Sequence, residues 1–343
     1  MNQSWHDFLS TCHAQFQDGV VQHFGDAAGE LAAAQDGTVL CDLGQFGVLK
    51  VTGEDAQSFL QNLLSSNVKD VTSSKAQLSS FNTAKGRMLA TFLIWQSGAD
   101  YFLRLPRSLS AAMQKKLSMY VLRSKVKIAD ASDELVCLGL AGKGTNTLAR
   151  ESFAAVPEEA MGVAVSANAS LIRLDASRLL IVTTPGQAPA LWKSLNCGAR
   201  AAGAPCWDWL DIRAGIPVIL PATQEQFVPQ MANLELIGAV NFKKGCYPGQ
   251  EIVARMQYLG RLKQRMYLAH VPGGAAPQPG EMLYSADMEG QHSGTVVNAA
   301  PAPGGGYDLL AVVQISSRES QTVHLGGLQG ATLEFQQLPY PLS

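Results

Sequence analysis

Nine consecutive residues, Lys243-Lys244-Gly245-Cys246-Tyr247-Pro248-Gly249-Gln250-Glu251, gather a thiol, two cations, two glycines and an adjacent amide and carboxylate. Gly245 and Gly249 open backbone conformations that other residues avoid, and Pro248 fixes φ between them, which predicts a rigid, shaped loop. Positive charge at Lys243 and Lys244 favours the thiolate of Cys246 wherever those ammonium groups lie near an accessible sulfur. Such a thiol serves as a nucleophile, as a cluster ligand, or as a redox or transfer group. A tight turn holding an inert cysteine is the competing reading, because free cysteine is among the most buried residue types.

The rest of the chain discriminates among these roles. A nucleophile needs a base within hydrogen-bond reach, and His6, His13, His23, His270, His292 and His324 stand in no recognisable catalytic signature. The cysteines Cys12, Cys41, Cys137, Cys197, Cys206 and Cys246 are scattered without a C-x-x-C pair, so neither a zinc site nor a cluster-binding run is visible and no metal is expected. A cluster at Cys246 would have to be shared with a partner or a small thiol. A redox or transfer thiol that assists another protein needs only exposure and neighbouring charge, and the segment favours that role.

The loop needs a frame. A chain of 343 residues exceeds what one core usually organises, so two or three domains are expected. Hydrophobic residues at 47% against 16% charged describe an ordinary folded protein. A net charge of -2 supplies no global basic field, so direct, tight nucleic-acid binding is not implied. The scattered cysteines fit reduced thiols in the cytosol. The first thirty residues, with Asp7, Asp18, Asp26 and Glu30, show no export pattern, and the longest strongly apolar run, 88–95, is far shorter than a membrane span. A cytoplasmic protein without a membrane partner is expected.

Along the chain, residues 1–37 read as an N-terminal arm of one or two helices. An α+β domain follows over 38–130, completed by 205–255, then a second α+β domain over 131–204 and a small antiparallel β-barrel over 256–343. In the first domain the polar corner Thr52-Gly53-Glu54-Asp55 opens a helix whose Ala56, Phe59, Leu60 and Leu63 recur at core spacing. A hairpin is expected over 75–96. Turn-rich breaks at 271–280 and 300–306 separate the short strands of the barrel. Ala141-Gly142-Lys143-Gly144-Thr145-Asn146 lacks the glycine and lysine positions of a phosphate loop and reads as a strand-to-helix turn.

The run 242–251 resembles the KGCYxGQE signature of the YgfZ-type folate-binding proteins, relatives of the glycine-cleavage aminomethyltransferase. Phe227-Val228-Pro229-Gln230-Met231-Ala232-Asn233-Leu234 is similar to the segment preceding that signature, and Asp211-Ile212-Arg213-Ala214-Gly215-Ile216-Pro217 resembles the family's RxGIP stretch. Residues 48–68 resemble its opening strand, turn and helix, and Phe81-Asn82-Thr83-Ala84-Lys85-Gly86-Arg87 its strand-turn-strand with a Gly-Arg corner. The resemblance implies ferredoxin-like α+β domains with a C-terminal β-barrel around a central opening. It also implies tetrahydrofolate or a one-carbon derivative as cofactor, and a role in maintaining or repairing iron-sulfur enzymes that affects tRNA modification, notably methylthiolation. Iron-sulfur enzymes or assembly factors would then be transient partners.

A folate asks for a flat apolar slot, cations or amides for its glutamate tail, and a carboxylate at the pterin edge. Trp207, Tyr247, Asp211, Arg213, Gln230, Asn233, Lys244, Gln250 and Glu251 are the candidates. Trp207 and Trp209, two residues apart, cannot share one face, so at most one lines a slot, and core packing competes for each. Asp211 and Arg213 read either as an ordinary ion pair or as ligand contacts; Gln230 and Asn233 either orient a polar ligand or cap backbone. Lys243, Lys244, Arg255, Arg261, Lys263 and Arg265 form a basic patch for an acidic partner or RNA, or a solvated face. One departure bears on chemistry: Ala90 and Thr91 stand where the aminomethyltransferase pattern carries its acidic pair, which removes acid–base help there. The expectation is therefore a folate-binding accessory protein; a folate-dependent one-carbon transferase and a ligand-free structural adaptor are the alternatives, and turnover is left open.

Overall fold

The computed structural model describes residues 1–342. The chain divides into two compact units, one of Met1–Phe59, Lys69–Gln77 and Leu93–Trp207, the other of Leu60–Val68, Leu78–Phe92 and the chain from Asp208 onward.

The first unit is built on antiparallel ladders, apart from Arg200–Ala202, which runs parallel to Thr38–Asp42. Phe46–Thr52 lies between Asp100–Pro106 and Lys127–Asp130, and the second half of Met88–Ser97 pairs with Asp100–Pro106. The helix Arg107–Ser118 buries Leu109, Met113 and Leu117, spaced four apart, which gives it one apolar stripe. A second sheet runs in the order Val163–Val165, Ala169–Asp175, Arg178–Thr183, Val136–Gly142, Thr38–Asp42, Arg200–Ala202. Leu138, Leu140, Leu171, Leu179 and Ile181 alternate along its strands into one core, where Trp5 meets Trp192 edge to face at 5.7 Å.

Two features differ from the sequence reading. The N-terminal arm is a helix, Gln3–Thr11, a hairpin of Gln15–Gln17 and Val20–His23, and a second helix, Ala27–Asp36. Asp18 and Gly19 both adopt positive φ, 51° and 75°, the backbone that a tight hairpin turn demands and that an Asp-Gly pair accepts. Thr38–Asp42, expected to open the first α+β domain, belongs to the sheet of Val136–Gly142. Leu43 N donates to Cys137 O and Phe46 N to Leu43 O, so the chain turns between sheets at that point.

The arm also holds a titrating group. Buried Asp42 accepts the Trp5 indole N–H at 2.8 Å and the Gly44 amide at 3.1 Å. Burial nonetheless pushes its carboxyl up to about 6, against those two bonds and the nearby Arg107 cation. The folded value exceeds the unfolded one, so this group's contribution to stability is full below about pH 4 and is lost as pH rises through 6. Wild type is expected to lose up to about 3 kcal/mol relative to Asp42→Asn between roughly pH 4 and 7. Thermal unfolding of both proteins across that range checks this, and parallel profiles would assign the titration elsewhere.

In the second unit, the strand ends 78–82 and 88–92 form a hairpin closed by Thr83 N to Arg87 O at 2.8 Å and Gly86 N to Thr83 O at 2.9 Å. The C-terminal sheet is antiparallel throughout, ordered His324–Leu325, Met282–Tyr284, His292–Pro301, Tyr307–Gln314, Gln264–Val271, Glu334–Gln336. It is a curled half-barrel with two edges. Ala269, Val271, Leu309, Ala311 and Val313 turn alternate side chains into its core. Among the described residues no helix is long and apolar enough to cross a membrane, and no group of three or more His, Cys, Asp or Glu could hold a metal ion.

Candidate functional site

Cys246 is a free, exposed thiol on a loop that is pinned on both sides. On the N-terminal side, Lys244 Nζ donates to the carbonyls of Gln61 at 2.6 Å, Leu64 at 2.5 Å and Ser66 at 2.8 Å. These oxygens lie at and just beyond the C-terminal end of the helix Ala56–Gln61, where carbonyls lack helical partners and the helix dipole favours a cation. The same ammonium stands 5.2 Å from the centroid of the Tyr247 ring. Burial pushes Lys244 down to about 8, while the three carbonyl dipoles favour its charged form. Of the two cations expected to serve the sulfur, Lys244 is thus committed to backbone oxygens and Lys243 remains exposed.

On the C-terminal side, Gly249 takes φ 78° and opens the helix Gln250–Tyr258. A Cβ at this position would lie 2.4 Å from Thr83 O and 2.5 Å from Gly86 Cα, so the loop and the hairpin turn meet backbone to backbone. Gln250 closes the loop on itself, its amide N–H donating to Tyr247 O at 3.1 Å and its Nε2 to Lys244 O at 3.3 Å.

The loop borders a buried polar wall. Ser65 Oγ donates to Ala239 O at 2.7 Å and accepts from Ser80 N at 2.8 Å. Ser80 Oγ lies 2.9 Å from Ser65 Oγ and 3.0 Å from Asn82 Oδ1, and Ser79 Oγ accepts from Ser66 N at 3.1 Å. Ser66 Oγ, Asn82 Nδ2 and the Tyr247 hydroxyl, all buried, have no hydrogen-bond partner. Burial pushes that phenol up to about 12. Buried polar atoms normally find partners, so each of these orphans is an atom whose bonding a polar ligand or water would complete.

Gln230 lies within the single turn Pro229–Ala232 and Asn233 caps its end, left-handed at φ 59°. Each spends its amide donor on backbone, Gln230 on Val253 O at 2.6 Å and Asn233 on Met266 O at 2.9 Å. Their acceptors, Gln230 Oε1 and Asn233 Oδ1, are buried and unpartnered. Each amide thus bonds backbone at one end of its side chain, and its oxygen stays open. Arg265 is also internal, ion-paired with Glu235 and bonded to Gln230 O at 3.0 Å, so the basic patch reduces to exposed Lys243, Arg255, Arg261 and Lys263.

The helix Ala204–Arg213 separates its candidates. Trp207 is wholly buried on Gly139, where any Cβ would lie 2.3 Å from the indole ring. It offers no face to a ligand, which corrects its place in a binding slot; core packing claims it. Trp209 donates to Asp308 Oδ2 at 2.8 Å. Arg213 ion-pairs with Asp308 at 3.5 Å and bonds the Gln336 side chain, whereas Asp211 is buried. Asp308 Oδ1 also holds His270 Nδ1 at 2.8 Å. His270 and Asp308 are direct partners in neighbouring strands, a pairing that no sequence spacing reveals. Glu251 is exposed. At the position lacking the acidic pair, Ala90 is buried and Thr91 Oγ1 accepts from Ile219 N at 3.2 Å, a backbone tie.

The GCVT N-terminal domain family matches residues 11–244. The chain is 31% identical over 314 residues to the tRNA-modifying protein YgfZ of Shigella boydii, covering 91% of this chain and 96% of that protein. It is 30% identical over 306 residues to the tRNA-modifying protein YgfZ of Klebsiella pneumoniae, covering 88% and 93% respectively. The glycine cleavage system aminomethyltransferase T from Bartonella henselae superposes with a TM-score of 0.82 over 99% of this chain and 97% of that one, at 16% identity, which shows a shared fold.

Proposed function

This chain belongs to the YgfZ family of tRNA-modifying proteins, built on the GCVT-domain fold, and from that premise we propose that it is a cytoplasmic, folate-binding accessory protein for iron-sulfur enzymes that act on tRNA. The observation that carries the reading is an exposed thiol on a pinned loop beside unpartnered buried polar atoms. A pterin ring edge carries donors and acceptors in a plane. Asn82 Nδ2 would donate to it; Gln230 Oε1 and Asn233 Oδ1 would accept; Ser66 and Tyr247 hydroxyls do either. Together these atoms offer the kinds of donor and acceptor that a tetrahydrofolate or one-carbon derivative asks for, and that group when bound supplies a carrier of one-carbon units.

The chain's own groups divide the work. Lys244 and Gly249 fix the loop so that Cys246 faces outward to a transient partner. Ala90 and Thr91 bring no carboxylate, and Thr91 is spent on a backbone tie to Ile219, which supports binding without aminomethyl transfer.

Calorimetry tests the folate half. Tetrahydrofolate is expected to bind wild type and to bind Tyr247→Phe about fivefold more weakly, the loss of one neutral hydrogen bond. Absence of heat with protein whose thermal unfolding is intact would remove folate from the reading.

A further inference from the structure

An edge of the C-terminal half-barrel carries a groove of about 480 Å³ that shares no residue with the Cys246 loop. That volume lies within the range of small-molecule sites. Its walls are aromatic: Tyr267 and Phe335 meet edge to face, centroids 5.8 Å apart and planes at 74°. The third ring, Tyr340, is fixed at its tip, where the hydroxyl donates to Gly215 O at 2.7 Å. Gly215 makes room for that ring, since at φ 66° a Cβ would stand 2.7 Å from it. The groove is thus held open by bonds made without a ligand, a preorganised wall.

One cation serves it. The Arg318 guanidinium lies 5.6 Å from the centroid of Tyr267 and 5.4 Å from that of Phe335. Its side chain is exposed, faces rings, and enters no ion pair among the described residues. Gln336 and Gln337 add amides along the edge strand, and Glu319 stands on the rim.

We infer that this groove binds a nucleobase carrying a single phosphate. The base lies against the rings of Tyr267 and Phe335, a mode of recognition that tolerates any base because each presents a π-face. Arg318 meets the phosphate, for which a planar guanidinium is suited. The Gln337 amide offers a donor and an acceptor to the base edge, whereas the Gln336 oxygen already accepts from Arg213. Glu319 opposes further negative charge, so a monophosphate fits better than a di- or triphosphate. The groove's residues differ from those assigned to folate, although Tyr340 lies 3.5 Å from the Asn233 amide, so the test below separates the two places.

The test titrates AMP into the full chain, following the ring resonances of Tyr267 and Phe335 by NMR. Adenosine, inorganic phosphate, ADP and a short single-stranded RNA are titrated in parallel. AMP is expected to bind more tightly than adenosine, phosphate or ADP, and Arg318→Gln to weaken AMP about tenfold, a larger change than it makes for adenosine, with the melting temperature unchanged. RNA binding tighter than AMP identifies a strand as the source of the nucleotide, and equal binding identifies the free monophosphate; both agree with the assignment. Absence of ring shifts with AMP would overturn it, as would affinity indifferent to Arg318→Gln. Displacement of AMP by tetrahydrofolate would overturn it too, by making the groove part of the folate site. Failure of folate to bind at all is read separately, by calorimetry.

Discussion

Lys244→Met is expected to lower the melting temperature by roughly 5 °C and to release the Cys246 loop. Methionine keeps the length and apolar character of the stem but leaves the carbonyls of Gln61, Leu64 and Ser66 facing a methyl group. Bonds to a charged donor contribute about 1.5–3 kcal/mol each in isolation, and stranded buried acceptors cost a further desolvation penalty. The contributions overlap, so a net loss of about 3 kcal/mol is the working figure. Lys244→Arg would not rescue, because a planar fork cannot point at three carbonyls that converge on one atom. Thermal unfolding gives the stability change. Hydrogen exchange over 61–66 and 244–250 gives the loop, where faster exchange is expected confined to those two segments. Unchanged melting and exchange would mean that the three carbonyls find water at no cost and that the clamp is incidental.

The contrast between what the sequence announced and what it hid follows from the range of the interactions. The shaped loop over 243–251 was readable because Gly249 answers a local demand, a positive φ at the start of a helix. The antiparallel C-terminal strands were readable because alternation along a strand is also local; that the sheet stays open with two edges, where a barrel was expected, was not. Lys244 was read as a cation for the neighbouring thiol; its partners lie about 180 residues earlier in the chain, and nothing at position 244 names them. His270 and Asp308 likewise meet only through strand register. The place of Trp207 depended on Gly139, an unremarkable glycine in an apolar run. The hairpin within the N-terminal arm had a local signal, Asp18-Gly19, that the helical composition around it masked.

Cys246→Ser is the complementary variant, expected to leave the fold untouched and to remove the function. The sulfur is exposed and free, and the loop around it is held by Lys244, Gln250 and Gly249, none of which depends on the thiol. The melting temperature should therefore move by no more than about 1 °C, within the range of surface substitutions. Function should respond very differently, because a serine hydroxyl neither ionises near neutral pH nor forms a mixed disulfide or a soft-metal bond, and those are the chemistries open to an exposed thiol on a cation-bearing loop. In cells lacking this protein, wild type is expected to restore 2-methylthio-modified tRNA and Cys246→Ser to restore almost none, at equal protein levels. Equal rescue by both would make the thiol dispensable there, and the pinned loop would have to act through its backbone or through Tyr247. The pair of variants separates the causes: Lys244→Met loses stability and function together, whereas Cys246→Ser loses function alone, which assigns the chemistry to the sulfur and the placement of that sulfur to the lysine.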